Sequence, residues 1–274
     1  MPIDFPTFLI SYLMNGELIK KIMEIDGYTS LNEGLLLYSL AKKLKNSAVV
    51  VEVGSWKGRS TAWLASGLKE AGTHGQVVAI DHGIGDSATG LQETTAAFLH
   101  NIKRLEITEF VKPIFEKSRQ AILAWSGPIR LLFIDAAHDY ESVRTDFGWE
   151  RYLADGGWIV FHDVLNPSEG PTRIFLEKVV KSNRFNCFGT VDSVVFARKT
   201  FNPHPNIVRK YLLIILLKVW IILTGFHKKL PKRGIRKKIS RILMKDILRS
   251  LFAKVANHRI AGFSEIRNKS ELLV

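Results

Sequence analysis

The sequence predicts a three-layer α/β fold, in which helices cover a mostly parallel sheet whose last strand runs antiparallel. Short β-branched runs alternate with helix-forming segments between residues 46 and 200, a pattern typical of parallel sheets. The strands are continuous apolar runs, as expected where both faces of a sheet are covered. A close strand pair follows the fifth strand, and this pairing reverses the direction of the last strand.

The predicted elements follow one another with short connections. Five runs predict the parallel strands, namely Ala48–Val53, Gln76–Asp81, Val111–Phe115, Arg130–Asp135 and Gly157–His162. The helices between them are predicted at Arg59–Ala71, Ala88–Leu105, Ser118–Trp125 and Tyr140–Leu153. A helix over about Pro171–Ser182 and the strand pair Phe185–Thr190 and Ser193–Arg198 complete the sheet. The carboxyl ends of the parallel strands therefore meet at one edge, which is where such folds bind ligands.

Composition divides the chain into a helical segment at 1–45, the α/β domain at 46–200 and a helical tail at 201–274. The net charge is +13 overall, but 19 lysines and arginines stand against three acidic residues from Arg198 onward. The tail is therefore strongly basic and the rest slightly acidic. A single cysteine excludes an internal disulfide and is compatible with the cytosol. The N-terminus lacks the basic start of a signal peptide, so we expect a cytoplasmic protein.

The loop after the first strand is the most informative sign of a ligand site. It runs from Glu52 to Ser60 as Glu-Val-Gly-Ser-Trp-Lys-Gly-Arg-Ser and joins a buried strand to a helix N-terminus. Unpaired backbone N–H groups at such a place can hold a polar or anionic ligand. The loop lacks the three-glycine fingerprint of dinucleotide-binding folds, and by itself it does not choose a cofactor.

Two further strand ends extend this predicted cofactor site. Asp81 ends the second strand, where a carboxylate can accept hydrogen bonds from both hydroxyls of a ribose; its alternative role is a turn or helix-capping residue. Ser118 follows the third strand, where an adenine edge would lie, and it is equally compatible with a helix N-cap. With the glycine loop, these positions favour a nucleoside-containing cofactor.

The fourth and fifth strands end in ionisable residues that adjacent parallel strands would bring together. Asp135, His162 and Asp163 would offer two oxygens and one nitrogen to Mg²⁺, Mn²⁺ or Fe²⁺. Alternatively, His162 and Asp163 form only a hydrogen-bonded pair that closes the strand. His138 could take a proton from a bound hydroxyl as general base, the alternative being a surface turn histidine.

These residues resemble the S-adenosylmethionine-dependent methyltransferases of the Rossmann-like kind. Within them, the chain is similar to the macrocin/mycinamicin sugar O-methyltransferase and cephalosporin-biosynthesis methyltransferase group. The resemblance covers about Ser30 to Lys199. It rests on Glu52-x-Gly54-Ser55, Asp81, Gly85-Asp86…Thr89-Gly90, Asp135-x-x-His138 and Gly156-Gly157…His162-Asp163.

The resemblance implies an O-methyltransferase that acts on a hydroxyl of a sugar, glycan or other natural product. The predicted cofactor residues are Glu52, Gly54, Ser55, Gly58, Ser60, Asp81, Ser118 and Asp135. By the same resemblance, Asp135 and Asp163 would hold a magnesium ion that grips two neighbouring hydroxyls, and His138 would be the base. The family usually has a carboxylate where this chain has His162. The turn that amine methyltransferases commonly use is replaced by Asp-Ala-Ala-His at 135–138, which favours an oxygen acceptor.

The tail combines an apolar helix with a basic amphipathic one. Tyr211–Leu223 is apolar except for Lys218, but it is shorter than the about 20 residues that a spanning helix needs. From Ile235 onward, apolar and basic residues take opposite faces of a predicted helix. Residues 207–260 therefore favour contact with an anionic membrane surface. The alternatives are a helical pair buried in a homodimer or against the domain, and, least favoured, a nucleic-acid partner.

Two other functional classes stay open at the level of the sequence. One is an NAD-dependent oxidoreductase on a related fold, against which the missing glycine fingerprint argues. The other is a non-catalytic, membrane-associated module that has kept the fold. Cofactor binding and turnover on hydroxyl acceptors distinguish these hypotheses from methyl transfer.

Overall fold

A computed structural model of the chain describes residues 16–85, 92–165, 169–201, 206–229 and 247–256. Within them, seven strands form one sheet in the order β3-β2-β1-β4-β5-β7-β6. The strands are β1 Val49–Val53, β2 Gln76–Ile80, β3 Val111–Ile114, β4 Ile129–Ile134, β5 Leu153–Phe161, β6 Phe185–Val191 and β7 Val194–Lys199. Strands β1 to β5 are parallel, and β7 lies antiparallel between β5 and β6. The predicted fold class is confirmed.

Successive strand residues pack into two separate cores, one on each face of the sheet. Val51 and Leu132 belong to one core, while Val50 and Leu131 belong to the other. All four side chains are fully buried, as the alternation of side chains along a strand requires when both faces are covered. This arrangement explains why the strands are apolar at every position.

The helices follow the predicted order, although several are shorter than predicted. Their bounds are α1 Gly16–Met23, α2 Leu31–Lys42, α3 Arg59–Glu70, α4 Thr95–Arg104, α5 Ser118–Ala121, α6 Tyr140–Asp146, α7 Glu169–Ile174, α8 Ile207–Lys229 and α9 Arg249–Ala256. Three of the short helices continue as tighter or wider turns, over Ile122–Ala124, Phe147–Tyr152 and Phe175–Val180. The residues at 86–91, which include most of the predicted Gly85–Gly90 loop, lie outside the described part.

The segment ahead of β1 is fixed to the domain by specific polar contacts. Helix α2 begins with a capping box, in which Ser30 and Glu33 satisfy each other's backbone N–H groups. The guanidinium of Arg59 donates to the carbonyl oxygens of Met23, Ile25, Gly27 and Thr29. The first turn of α3 therefore holds the connection between α1 and α2 close to the glycine loop.

The described tail helices pack on the domain rather than standing apart from it. Leu213, Leu217 and Trp220 of α8 and Phe252 of α9 are buried in the same core as one face of the sheet. The Arg249 guanidinium also donates to the carbonyl of Leu165, just after β5 (2.8 Å). The predicted amphipathic segment lies outside the described residues from Ile235 to Asp246. In the described ranges, no helix combines the length and apolarity needed to cross a membrane.

Candidate functional site

Two glycines in the left-handed region of backbone conformation shape the loop after β1. Gly54 and Gly58 both have φ near +90°, where a side chain is strained. A Cβ on Gly54 would also lie 2.1 Å from the carbonyl oxygen of Asp135, so this glycine lets the β1 and β4 ends approach each other. Gly58 precedes the first turn of α3, and a Cβ there would press on Phe98 at 3.1 Å.

Asp81 organises this loop from the end of β2. Its Oδ2 accepts from the backbone N–H groups of Ser55 (3.0 Å) and Trp56 (2.8 Å), and its Oδ1 accepts from the N–H of Gly83 (2.8 Å). The prediction of unpaired N–H groups is therefore wrong for Ser55 and Trp56. An ionised carboxylate has about four acceptor directions, so three bonds leave capacity for a ligand hydroxyl. Asp81 therefore also stabilises the turns around it, as the alternative role predicted.

Glu52 lies behind the loop rather than in contact with the cavity. The carboxyl is fully buried and accepts from the Thr61 hydroxyl. Burial raises the pKa of Glu52 to about 8, although hydrogen bonds from Ser60 and Thr61 act in the opposite direction. At neutral pH the group is therefore mostly a neutral acid that joins β1 to α3. Glu52 therefore supports the loop from behind and does not line the cavity that would hold the cofactor.

A cavity of about 820 Å³ opens at the carboxyl ends of β1, β2, β4 and β5, within the range of small-molecule sites. Six of the predicted cofactor residues line it, namely Gly54, Ser55, Ser60, Asp81, Ser118 and Asp135, and so do His138, His162 and Asp163. Glu52 and Gly58 do not. The Ser55 hydroxyl is buried and has no hydrogen-bond partner within the described residues, so it is free to contact a ligand.

Ser118 links the cavity to a residue that the sequence did not single out. Its hydroxyl accepts from the indole N–H of Trp149 (3.0 Å), and a further hydrogen bond joins it to Asp146. Burial raises the pKa of Asp146 to about 6, with the Ser118 bond opposing. Lys117, not Ser118, is the N-cap of α5, so the capping alternative for Ser118 is wrong. Asp146 was hidden because it comes from the distant helix α6.

His138 and Asp163 form a pair at the mouth of the cavity. The His138 Nε2 lies 2.9 Å from the Asp163 Oδ2. That hydrogen bond raises the pKa of His138, although partial burial acts against it. Asp163 is held in the left-handed region with φ near +59°, which aspartate tolerates better than most residues. The backbone after β5 thus aims this carboxylate at a histidine from the loop after β4.

His162 is surrounded by three carboxylates and is almost fully buried. Its Nδ1 lies 3.2 Å from both the Asp135 Oδ1 and the Asp163 Oδ1, and its Nε2 lies 3.3 Å from the Glu33 Oε2. Burial alone would lower the pKa of His162, but these carboxylates raise it well above the usual value. The surrounding carboxylates therefore favour the protonated form of this buried ring.

Glu33 is the member of this cluster that the sequence did not reveal. It is 2% exposed, and its Oε1 accepts from both the backbone N–H (2.9 Å) and the hydroxyl (2.7 Å) of Ser193. Burial would raise the pKa of Glu33, but the bonds from His162 and Ser193 lower it. The only sequence signal was the capping-box spacing of Ser30 and Glu33, which does not point to a residue 129 positions away.

The metal prediction for Asp135, His162 and Asp163 is not supported. Among the described residues, no group of three His, Cys, Asp or Glu side chains is arranged to hold a metal ion. A physical reason is that the His162 Nδ1 itself faces both carboxylates, at 3.2 Å from each. A protonated imidazole has no lone pair with which to bind a metal, and the raised pKa of His162 favours that form.

Aromatic side chains form one wall of the cavity. The rings of Tyr28 and Trp56 stack with centroids 5.6 Å apart, and the Lys57 ammonium lies 4.8 Å from the Trp56 ring centre. Trp56 has φ near +43°, which is unusual for a bulky residue. The two N–H bonds to Asp81 hold the loop in this conformation. No pattern in the sequence indicated that Tyr28 would reach the site.

Comparison with known proteins adds a family to this geometry. Residues 51–164 match a family model described as a methyltransferase domain. The match includes the glycine loop, Asp81, the His138–Asp163 pair and His162. It gives no support to the alternative of an NAD-dependent oxidoreductase. The narrower resemblance to the macrocin/mycinamicin group stays a prediction.

Several solved structures share the fold over most of both chains. Cofactor-bound Rv0187 from MTB is 22% identical, with a TM-score of 0.55 over 72% of this chain and 96% of that one. The O-methyltransferase from Bacillus cereus in complex with SAH is 19% identical, with a TM-score of 0.51 over 70% and 96%. TomG, an O-methyltransferase from Streptomyces achromogenes in complex with SAM, is 18% identical, with a TM-score of 0.53 over 71% and 95%. The sheet order and these likenesses together show that the chain has the Rossmann-like fold of S-adenosylmethionine-dependent methyltransferases, with a methyltransferase domain over residues 51–164.

Proposed function

We propose that this protein transfers a methyl group from S-adenosylmethionine to a hydroxyl of a sugar, glycan or other natural product, with His138 as general base. The observation that carries the proposal is the His138–Asp163 pair at the mouth of the same cavity that the glycine loop lines. A hydroxyl acceptor must lose a proton when its oxygen is methylated, and this pair is placed to receive it.

The cavity residues fit the cofactor. The buried Ser55 hydroxyl, without a partner within the described residues, would contact the amino-acid part. Asp81 has acceptor capacity left for the ribose hydroxyls, and Ser118 and Asp146 would lie beside the adenine. When bound, the sulfonium of the cofactor supplies an activated methyl group. The structures of the Bacillus cereus and Streptomyces achromogenes O-methyltransferases contain SAH and SAM, respectively, which supports this choice.

The ionisation states decide which nitrogen of His138 is the base. The pKa of Asp163 is held far below its usual range by His138 and His162, although burial opposes them. Asp163 is therefore an acceptor only, and the Nε2 of neutral His138 must carry the hydrogen that it donates. The lone pair is then on Nδ1, which accepts the proton of the acceptor hydroxyl. The negative charge of Asp163 stabilises the imidazolium that results.

The rest of the cluster keeps Asp163 in place. His162 contacts Asp163 and Asp135 at 3.2 Å and is itself held by Glu33. Because His162 is buried, we assign it a positioning role and not a contact with the acceptor. Catalysis then consists mainly of aligning the acceptor oxygen with the methyl group and removing one proton.

The acceptor class is inferred from the walls of the cavity. The Tyr28–Trp56 stack offers a flat apolar face, while Glu116, Arg119 and Glu141 add polar groups to the lining. Such a mixture suits a polyhydroxylated ring better than a purely apolar molecule. The Streptomyces achromogenes relative is an O-methyltransferase involved in tomaymycin synthesis, which adds support for a natural-product acceptor.

We also propose that the enzyme is cytoplasmic and works at the surface of an anionic membrane. The support is the charge of the tail, with 19 basic and three acidic residues from Arg198 onward. Peripheral association through residues 207–260 follows from this charge and from the apolar content of the segment. We do not propose binding to nucleic acid, because the tail is too apolar for a segment that contacts only phosphate groups.

The test is a transfer assay with methyl-labelled S-adenosylmethionine and a panel of glycan and polyketide alcohols. Wild type is expected to label at least one alcohol. His138→Ala should lose about 10²–10⁴-fold in kcat while its affinity for the cofactor, measured by calorimetry, stays unchanged. Cofactor binding without transfer to any alcohol, or full activity of His138→Ala on a labelled alcohol, would contradict the proposal.

A further inference from the structure

Helix α8 has an apolar face that nothing in the described part of the chain covers. Its inner face is buried through Leu213, Leu217, Trp220 and Thr224. Its outer face carries six large apolar residues that are 44 to 69% exposed, namely Val208, Tyr211, Leu212, Ile215, Ile222 and Phe226. At 100° per residue these six fall within about 60° of one line, directly opposite the buried face. We call this set the α8 stripe.

The α8 stripe is long and follows one side of the helix. From Val208 to Phe226 it extends about 27 Å at 1.5 Å per residue, and the partly buried Val219, which also packs against the core, lies between Ile215 and Ile222. Single exposed apolar residues are common on soluble proteins, but a contiguous patch marks a surface that contacts something. The helix is fixed in this orientation, since its inner face is part of the domain core and Arg209 donates to the carbonyls of Val255 and Phe188.

Charge identifies what covers the stripe. Lys218 is exposed at its edge, and exposed Lys229 follows its end. The sequence then places Lys232, Arg233, Arg236, Lys237 and Lys238 immediately after the helix. Apolar side chains flanked by lysine and arginine are the pattern of a helix that lies in the interface of an anionic bilayer.

A second copy of the chain fits less well. Joining two α8 stripes would bring together two tails that each hold 17 basic residues against three acidic ones. Like charges at an interface oppose association. An anionic lipid surface instead neutralises the same charges while it accepts the apolar side chains.

We infer that the α8 stripe is the lipid-contacting face of this enzyme and lies in the headgroup region of an anionic membrane. The inference deepens the proposed membrane location by naming the surface, and it does not depend on the identity of the acceptor. Because the opposite face of α8 stays on the domain, the whole enzyme would be held beside the membrane surface. Acceptors presented by that surface are then within its reach.

The experiment uses the full chain and vesicle co-sedimentation. One set of vesicles is phosphatidylcholine alone, and the other is an equal mixture of phosphatidylcholine and phosphatidylglycerol. The stripe variant is Ile215→Ser with Phe226→Ser, which removes apolar surface without changing charge. The matched control is Leu99→Ser with Leu123→Ser, two residues that are also exposed but lie on other elements. Point variants are preferable to truncation, because removing α8 would uncover the domain core.

Wild type and the control should bind the anionic vesicles equally well and the neutral vesicles only weakly. Both should dissociate from the anionic vesicles as the salt concentration is raised. The stripe variant should bind the anionic vesicles at least about tenfold more weakly. Equal binding of the stripe variant and wild type would overturn the inference while leaving the proposed membrane location intact. Absence of wild-type binding to anionic vesicles would overturn both. A dimeric mass in solution that only the stripe variant loses would assign the stripe to a second copy instead.

Discussion

The two halves of the cavity are built in different ways. In our proposal one half holds the cofactor and the other half holds the acceptor. The cofactor half, around Gly54, Ser55 and Asp81, depends on backbone conformation and on hydrogen bonds between a carboxylate and N–H groups. The acceptor half, around His138 and Asp163, depends on side-chain charges that lie close together and out of water. The first half therefore tolerates little change in shape, and the second half tolerates little change in charge.

The two halves also differ in how far apart in the sequence their interacting residues lie. Asp81 follows Ser55 of the glycine loop by 26 residues. The acceptor half needs Glu33 from α2, which approaches His162 across 129 residues. A cofactor site made from one βαβ unit can be recognised locally, whereas a charge cluster made from three distant elements cannot.

The largest effect that tests this contrast is expected in the acceptor half. Asp163→Asn removes the charge but little volume, and kcat should fall by about 100-fold. Wild-type kcat should decline as pH falls through a value above the usual His pKa of 6.5, because the raised pKa of His138 leaves the base protonated there. In Asp163→Asn this midpoint should move to lower pH. Of the other influences on His138, Asp135 still raises its pKa, whereas partial burial and His162 lower it.

The measurement is a pH profile of kcat on the best alcohol acceptor. Asp139→Asn is the matched control, since Asp139 is nearby but only caps α6 through the Ser142 N–H. A midpoint that is identical in wild type and Asp163→Asn would mean that Asp163 does not set the ionisation of the base.

The next effect tests the cofactor half. Asp81→Ala removes the acceptor of the Ser55 and Trp56 N–H groups, so the loop loses its support and the ribose its partner. The Kd for S-adenosylmethionine should rise about 10- to 100-fold, the range expected for losing a charged hydrogen bond. Calorimetry measures this directly. Asp155→Ala, at the other edge of the sheet, should bind like wild type, and an unchanged Kd for Asp81→Ala would refute the predicted pose.

A smaller effect should come from Glu33→Gln, because Glu33 influences His138 and Asp163 indirectly, through His162; the variant also disturbs the bond from the Ser30 N–H to the Glu33 Oε2. The amide keeps the shape and one acceptor for Ser193, but it no longer opposes the charge of the imidazole. We expect kcat to fall about tenfold with KM and cofactor affinity unchanged, since Glu33 touches neither ligand. Glu70→Gln, which alters an exposed pair with Lys42, is the control. A selective rise in KM would show instead that Glu33 shapes the acceptor pocket.

The smallest predicted effect concerns stability. In the folded state Glu52 has a pKa of about 8, against an ordinary value of 4.5. Between these values the native state holds a proton that the unfolded chain has lost, so stability falls as pH rises through this window. Glu52→Gln removes that penalty and should raise the free energy of unfolding at pH 8 relative to wild type. Urea titrations at pH 5 and pH 8 measure the change.

The difference between Glu52→Gln and wild type should shrink at pH 5, which is close to the ordinary pKa of 4.5 at which the unfolded chain also takes up the proton. The exposed Glu109→Gln serves as control. If Glu52→Gln is destabilised equally at both pH values, the carboxyl is ionised in the native protein and its assignment as a neutral acid fails.

The sheet, its strands and the strand ends at which ligands bind could be predicted from the sequence. Continuous apolar runs define buried parallel strands because both faces are covered, and polar residues at their ends must lie at one edge. Boundaries were less exact. Strand β5 begins at Leu153 rather than Gly157, since a register irregularity opposite Ile129–Leu131 lets the chain pair earlier.

The pairing of the polar residues became evident only from the folded arrangement. The spacing of Asp135, His162 and Asp163 suggested metal ligands, but Glu33 and the burial of His162 favour a cationic ring between acids. The sequence of α8 predicted an apolar helix, while its packing decided which side is buried and which is free. The physical reason is common to both cases. Charge states and exposure depend on neighbours brought from distant parts of the chain, and local sequence does not encode these contacts.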